Sequence, residues 1–89
     1  MTSAQAVALY DSKASAKSWS DLLAFSIGDE EVFFGHDADV VSQYLGVQKD
    51  YTHGRLCAHV PSGLFGANQH TLLEKGYAIR HCVFNSNLV

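Results

Sequence analysis

Leu22–Gly46 reads LLAFSIGDEEVFFGHDADVVSQYLG, and its apolar spacing decides the fold class. Leu23, Phe25 and Ile27 alternate with Leu22, Ala24 and Ser26. That two-residue period is a strand with one strongly apolar face. Gly28-Asp29 supplies the flexible backbone a reversal needs, and Glu31–Gly35 resumes as a second strand carrying Val32, Phe33 and Phe34. Asp37 suits an N-cap, with Asp39 near the positive end of the helix dipole. Ala38, Val41, Tyr44 and Leu45 then form a buried helical stripe, which Gly46 closes as a left-handed cap.

Outward from this stretch, Ser3–Ala16 is read as an amphipathic helix capped by Ser3, with Val7, Tyr10 and Ala14 at helical spacing. A frayed tail is the alternative there. Trp19, in the connection, is expected to cover a core edge, with an exposed anchor for a partner as the other reading. Val47–Tyr51 reads as an edge strand and Thr52-His53-Gly54 as a turn. Arg55–Val60 alternates Leu56, Ala58 and Val60 against Arg55, Cys57 and His59, until Pro61-Ser62-Gly63 stops the strand. A last helix is expected from Leu64 to Lys75, with Leu72 and Leu73 as core residues, Gly66 weakening its first turn and Gly76 capping it. Tyr77–Phe84 is the final strand and Asn85–Val89 a polar tail. The order α-β-β-α-β-β-α-β predicts an α/β (α+β) fold, a mixed sheet with helices packed on it. It forms a single domain over residues 1–89, with residues 1–20 as helix and connection, 22–84 as core and 85–89 as tail.

The chain carries 47% hydrophobic and 17% charged residues, which are globular values. At 89 residues it is near the low end of sizes that fold on a hydrophobic core alone, so homodimerisation is an expectation. The net charge is -3, and Lys13, Lys17, Lys49, Arg55, Lys75 and Arg80 are scattered along the chain. Nucleic-acid affinity rests mainly on phosphate neutralisation, so a free-standing DNA or RNA binder is not favoured unless the fold gathers Lys49, Arg55 and Arg80. No signal peptide, spanning segment or basic membrane-surface helix is read, and a cytoplasmic location is expected. Cys57 and Cys82 are then expected as reduced, buried thiols.

The stretch LLAFSIGDEEVFFGHDADVVSQYLGV resembles the start of the N-terminal mismatch-recognition domain of MutS, the DNA mismatch repair protein. Gly28-Asp29, Phe34, Asp37-Ala38 and Leu45 stand where that pattern wants them. Ala58, Val60-Pro61, Leu72, Gly76-Tyr77, Ile79 and Cys82 are similar to its second half, so the likeness spans Leu22–Phe84. The resemblance implies a MutS-like fold. The family's Phe-x-Glu motif, which stacks on and hydrogen-bonds the mispaired base, is replaced by Glu30 and Val32. A carboxylate cannot act as a stacking wedge beside phosphates, and valine offers no hydrogen bond. No functional residue of that motif carries over.

Two cysteines and five histidines invite a metal or nucleophile reading. Cys57 and His59 share one face of a predicted strand, and His81-Cys82 lies on another that would need to be its neighbour. Without C-x-x-C or H-E-x-x-H spacing these four are weak zinc candidates, and no cofactor is expected. A Cys-His enzyme lacks an evident orienting third group. Asp29-Glu30-Glu31 is expected as a solvated hairpin tip or an acidic patch for a basic partner surface. No phosphate-cradling or nucleophile-elbow glycine motif is present. The leading expectation is a non-enzymatic module that binds a protein partner, with Trp19, Asp29, Glu30, Glu31, Lys49, Arg55 and Arg80 as interaction candidates. A nucleic-acid-associated protein and a small Cys/His enzyme are the competing classes.

Overall fold

A computed structural model describes residues 1–83. Helix α1 (Ser3–Lys13) is capped by Thr2 rather than Ser3: its hydroxyl accepts the Gln5 N–H at 3.1 Å while Gln5 Oε1 accepts the Thr2 N–H at 2.9 Å. This reciprocal pair satisfies two otherwise orphaned donors. Strands β1 (Asp21–Ile27) and β2 (Glu30–Phe34) flank the two-residue turn Gly28-Asp29, with Ile27 opposite Glu30. Helix α2 (His36–Leu45) follows at once and closes, as expected, on Gly46 in the left-handed region (φ 72°). Strands β3 (Lys49–Thr52) and β4 (Arg55–Pro61) form a second hairpin. Helix α3 (Ser62–Glu74) starts directly after Pro61, earlier than expected, and β5 (Ala78–Cys82) ends the described chain. The strand is shorter than the expected Tyr77–Phe84, since Tyr77 and Val83 lie outside it, while Phe84 and the Asn85–Val89 tail fall outside the described residues.

The molecule is thus a small α+β domain with three helices on a five-stranded mixed sheet, in the expected element order. The sheet order is β3-β4-β2-β1-β5, antiparallel throughout except for the parallel β1–β5 pair. Two cores result. Leu22, Ala24, Phe33, Ala58 and Val60 meet Ala38, Val40 and Val41 of α2 and Phe65 and Leu72 of α3 on one face. On the other, Leu23, Phe25, Val32, Phe34, Cys57 and Cys82 lie with Ala6 and Val7 of α1. The expectation of one apolar face on β1 is therefore corrected. Leu22 and Ala24 are as buried as Phe25, because helices cover the central strands on both sides. On α3, Leu72 is in the core as expected, but Leu73 is 51% exposed and Phe65 takes its place.

Asp37 is not the N-cap of α2. Gly35 holds that position, and Asp37 points from the first turn into the interior, fully buried. The β1–β2 ladder runs only from Ile27 to Phe25. Beyond it the Leu23 N–H has no strand partner, and Asp37 Oδ2 accepts it at 3.1 Å. Asp37 Oδ1 meets only the Lys17 ammonium among the described residues, 2.9 Å away and poorly aligned for a hydrogen bond. Lys17 also donates to the Asp21 carbonyl at 2.8 Å. One carboxylate and one ammonium thus join α2, β1 and the α1–β1 connection.

Candidate functional site

Trp19 stands just before β1, and its indole is 69% exposed. Its edge meets the Tyr77 ring (centroids 5.9 Å apart, 88° between planes), and Tyr77 packs against Tyr44 at 6.1 Å. Lys75 lies 5.9 Å from the centroid of the Tyr44 ring. Tyr77 and Tyr44 in turn lean on the core shared by α2 and α3. The expected core-edge role is corrected: Trp19 packs on the partly buried Tyr77 ring, and most of its indole faces solvent. An aromatic side chain braced on one edge loses little conformational freedom when its other face is covered.

The hairpin tip is not uniformly solvated. Asp29 is exposed, and its carbonyl accepts the Ser62 N–H at 2.9 Å. Glu31 is only 6% exposed, which corrects its place in an acidic surface patch. Its carboxylate accepts Ser26 Oγ at 2.8 and 3.0 Å and Ser62 Oγ at 3.3 Å, with His81 Nδ1 at 3.6 Å. It therefore ties the hairpin to the start of α3, where a negative charge also suits the helix dipole.

Glu30 faces the opposite side and pairs with His59, Oε1 to Nδ1, at 3.2 Å. His59 Nε2 lies 3.5 Å from Cys57 Sγ. This supplies the third group that the Cys-His reading lacked. With Glu30 accepting from Nδ1–H, Nε2 is left to accept from the thiol. The signal was in the alternation of β4, but Glu30 reaches His59 only through the β2–β4 register, Val32 opposite His59.

That row has the order of a catalytic triad without its accessibility. Cys57 is fully buried, and burial, together with the Asp50 charge, raises its thiol above the ordinary range. Burial raises Cys82 as well. Both shifts favour the unreactive protonated form. No pocket opens among the described residues. Iodoacetamide is therefore expected to label Cys57 and Cys82 far more slowly in the folded protein than in urea at the same pH. Fast labelling of either thiol at neutral pH in the folded state would contradict the burial argument.

The four weak metal candidates are not brought together. Strands β2 and β1 separate β4 from β5, three inter-strand steps of about 4.8 Å each. His81-Cys82 is thus not the neighbour of Cys57 and His59, and His81 faces Glu31 on the other side of the sheet. The basic residues are likewise not gathered. Lys49 pairs with Asp39 at 2.9 Å, Arg55 with Asp11 through two bonds of 3.0 and 2.8 Å, and Arg80 with Asp21 at 3.6 Å. Lys49 and Arg80 sit on opposite edge strands, so the expected patch of Lys49, Arg55 and Arg80 does not form. No helix among the described residues is long and apolar enough to cross a membrane. The chain matches no protein-family model and no curated protein.

Proposed function

We propose that the chain is a non-enzymatic interaction module, with an architecture like the MutS N-terminal domain, that binds a protein partner through its Trp19 end. The observation that carries this reading is the exposed Trp19 indole braced on Tyr77 and Tyr44. Aromatic anchors of this kind dominate protein interfaces, because they bury a large area for little lost freedom. Mismatch reading is lost on this view. Glu30 is engaged by His59, and Val32 is fully buried beneath α1. Protein is favoured over nucleic acid because Lys49, Arg55 and Arg80 are each engaged by a carboxylate. A reducing compartment such as the cytoplasm suits two free buried thiols.

Immobilised wild-type protein and Trp19→Ala, offered the same host lysate, test this. A protein retained by the wild type and lost from Trp19→Ala is expected, with an affinity difference of about 30-fold, the size of an interface hot spot. Equal capture by both forms overturns the reading. Salt-sensitive retention of nucleic acid alone does so too.

A further inference from the structure

The two edges of the sheet are unlike. Strand β3 is four residues long, carries Lys49 and Asp50, and has its Tyr51 N–H occupied by the Asp50 carboxylate at 2.7 Å. Short, charged edges resist further pairing. Strand β5 is one residue longer and carries Arg80 and His81, but no side chain among the described residues occupies its outward N–H groups, and there it pairs only with β1. The Ala78 N–H donates to the Ser20 carbonyl at 2.9 Å. By alternation Ala78, Arg80 and Cys82 turn their backbone groups toward β1, and Ile79 and His81 turn theirs outward.

We propose that β5 is a dimerisation edge, at which a second copy of this chain pairs antiparallel with the twofold axis at Ile79, making one ten-stranded sheet. This concerns the sheet edge and stands independently of any partner at Trp19. The register follows from the residues. With the axis at Arg80, two guanidinium groups would oppose each other at the closest cross-strand approach, which is repulsive. With the axis at His81, two imidazoles would oppose each other, each already facing Glu31 of its own copy. With the axis at Ile79, two β-branched side chains meet at the centre and Tyr77 lies opposite the second copy's imidazole, both favourable cross-strand pairs. Ile79 exchanges two backbone bonds with its copy. The Tyr77 carbonyl accepts the His81 N–H in each direction, while the Tyr77 N–H stays with Leu72.

Charge completes the match on the other face. Arg80 then lies opposite Ala78 of the second copy, whose neighbour across β1 is Asp21. The small alanine lets the guanidinium reach over to that carboxylate. Asp21 and Arg80 already meet at 3.6 Å within each copy, so the twofold axis sets two such pairs side by side with opposite charges facing each other. A closed twofold dimer of this kind leaves only the two blunted β3 edges open.

Sedimentation equilibrium of the full chain is expected to give twice the chain mass. Ile79→Pro removes an outward N–H and no bond of the β1–β5 ladder, so it is expected to sediment as a monomer with an unchanged far-ultraviolet circular dichroism spectrum. Should Ile79→Pro fail to fold, oxidative cross-linking decides. Directly opposed residues lie about 5.5 Å apart at Cα, within disulfide reach. Ile79→Cys is expected to form a disulfide-linked dimer on a non-reducing gel, where the wild type and Arg80→Cys do not. A wild-type monomer at every concentration reached overturns the proposal. So does a folded Ile79→Pro that remains dimeric, or cross-linking through position 80 in preference to 79.

Discussion

Replacing Lys17 by Met is expected to lower the free energy of unfolding by about 3 kcal/mol, a large part of the total for a domain this small. The methionine keeps the apolar stem, so lost packing is a minor part of the effect. What changes is Asp37. Its side chain is wholly excluded from solvent and its Oδ1 meets only the Lys17 ammonium among the described residues. Removing one partner of a buried ion pair leaves an uncompensated charge, which is worse than removing both. Lys17→Met/Asp37→Asn is therefore expected to be more stable than Lys17→Met alone, since the asparagine oxygen still accepts the Leu23 N–H. Urea denaturation of the two single variants and the double variant measures this. Strictly additive losses would exclude the buried-charge explanation.

The same pair has a pH signature of definite sign. Burial pushes the Asp37 carboxyl above its ordinary range, against the Lys17 ammonium and the Leu23 amide, which pull it down. In the unfolded chain an aspartate titrates at about 3.9. A carboxyl raised by folding holds its proton more tightly in the native state. Its favourable contribution is full below the unfolded value and is lost as pH rises through the folded one. Lys17→Met removes a group that lowers the value and so raises it further. The stability gap between Lys17→Met and wild type is then expected to narrow on acidification from pH 7 to pH 5. A gap that stays constant or widens would contradict the assignment.

The readable parts of the fold are those fixed by neighbours in sequence. Gly28-Asp29 between two alternating runs places a hairpin, and Gly46 after an apolar stripe ends a helix, because each signal lies within a few residues of its effect. What depends on strand order is not readable in this way. Alternation placed Cys57 and His59 on one face correctly, but nothing local says that β2 and β1 lie between them and His81-Cys82. Glu30 and Glu31 are adjacent and chemically alike, yet one pairs with His59 and the other is buried against Ser26 and Ser62. The strand pleat sends them to opposite faces, and what each meets there is set by β4 and α3, 29 and 31 residues on. Asp37 shows the same limit. An aspartate near a helix start is most simply a cap, and only the early end of the β1–β2 ladder turns it inward to the Leu23 N–H.

Gly35→Ala is the other substitution expected to be severe, and its two causes can be separated. Gly35 links β2 to α2 at φ 59°, ψ -131°, a backbone region that L side chains rarely adopt. It cannot relax easily, because its N–H donates to the Leu56 carbonyl at 2.8 Å and its own carbonyl accepts the Ala38 and Asp39 N–H groups at 3.0 and 3.2 Å. A Cβ there would also collide with the Tyr10 hydroxyl, whose ring packs on Phe34 with centroids 5.4 Å apart. Forced backbone conformations of this kind cost about 1–3 kcal/mol, and displacing Tyr10 from Phe34 adds to that. A total near 3 kcal/mol would lower the melting temperature by about 12–24 °C for a domain of this size. Tyr10→Phe removes the hydroxyl and leaves the backbone unchanged. In that background Gly35→Ala is expected to cost about half as much, because strain persists while the worst contact is gone. An equal cost in both backgrounds would assign the whole effect to strain. A Gly35→Ala protein as stable as wild type would mean that the β2–α2 connection does not hold Gly35 in this conformation.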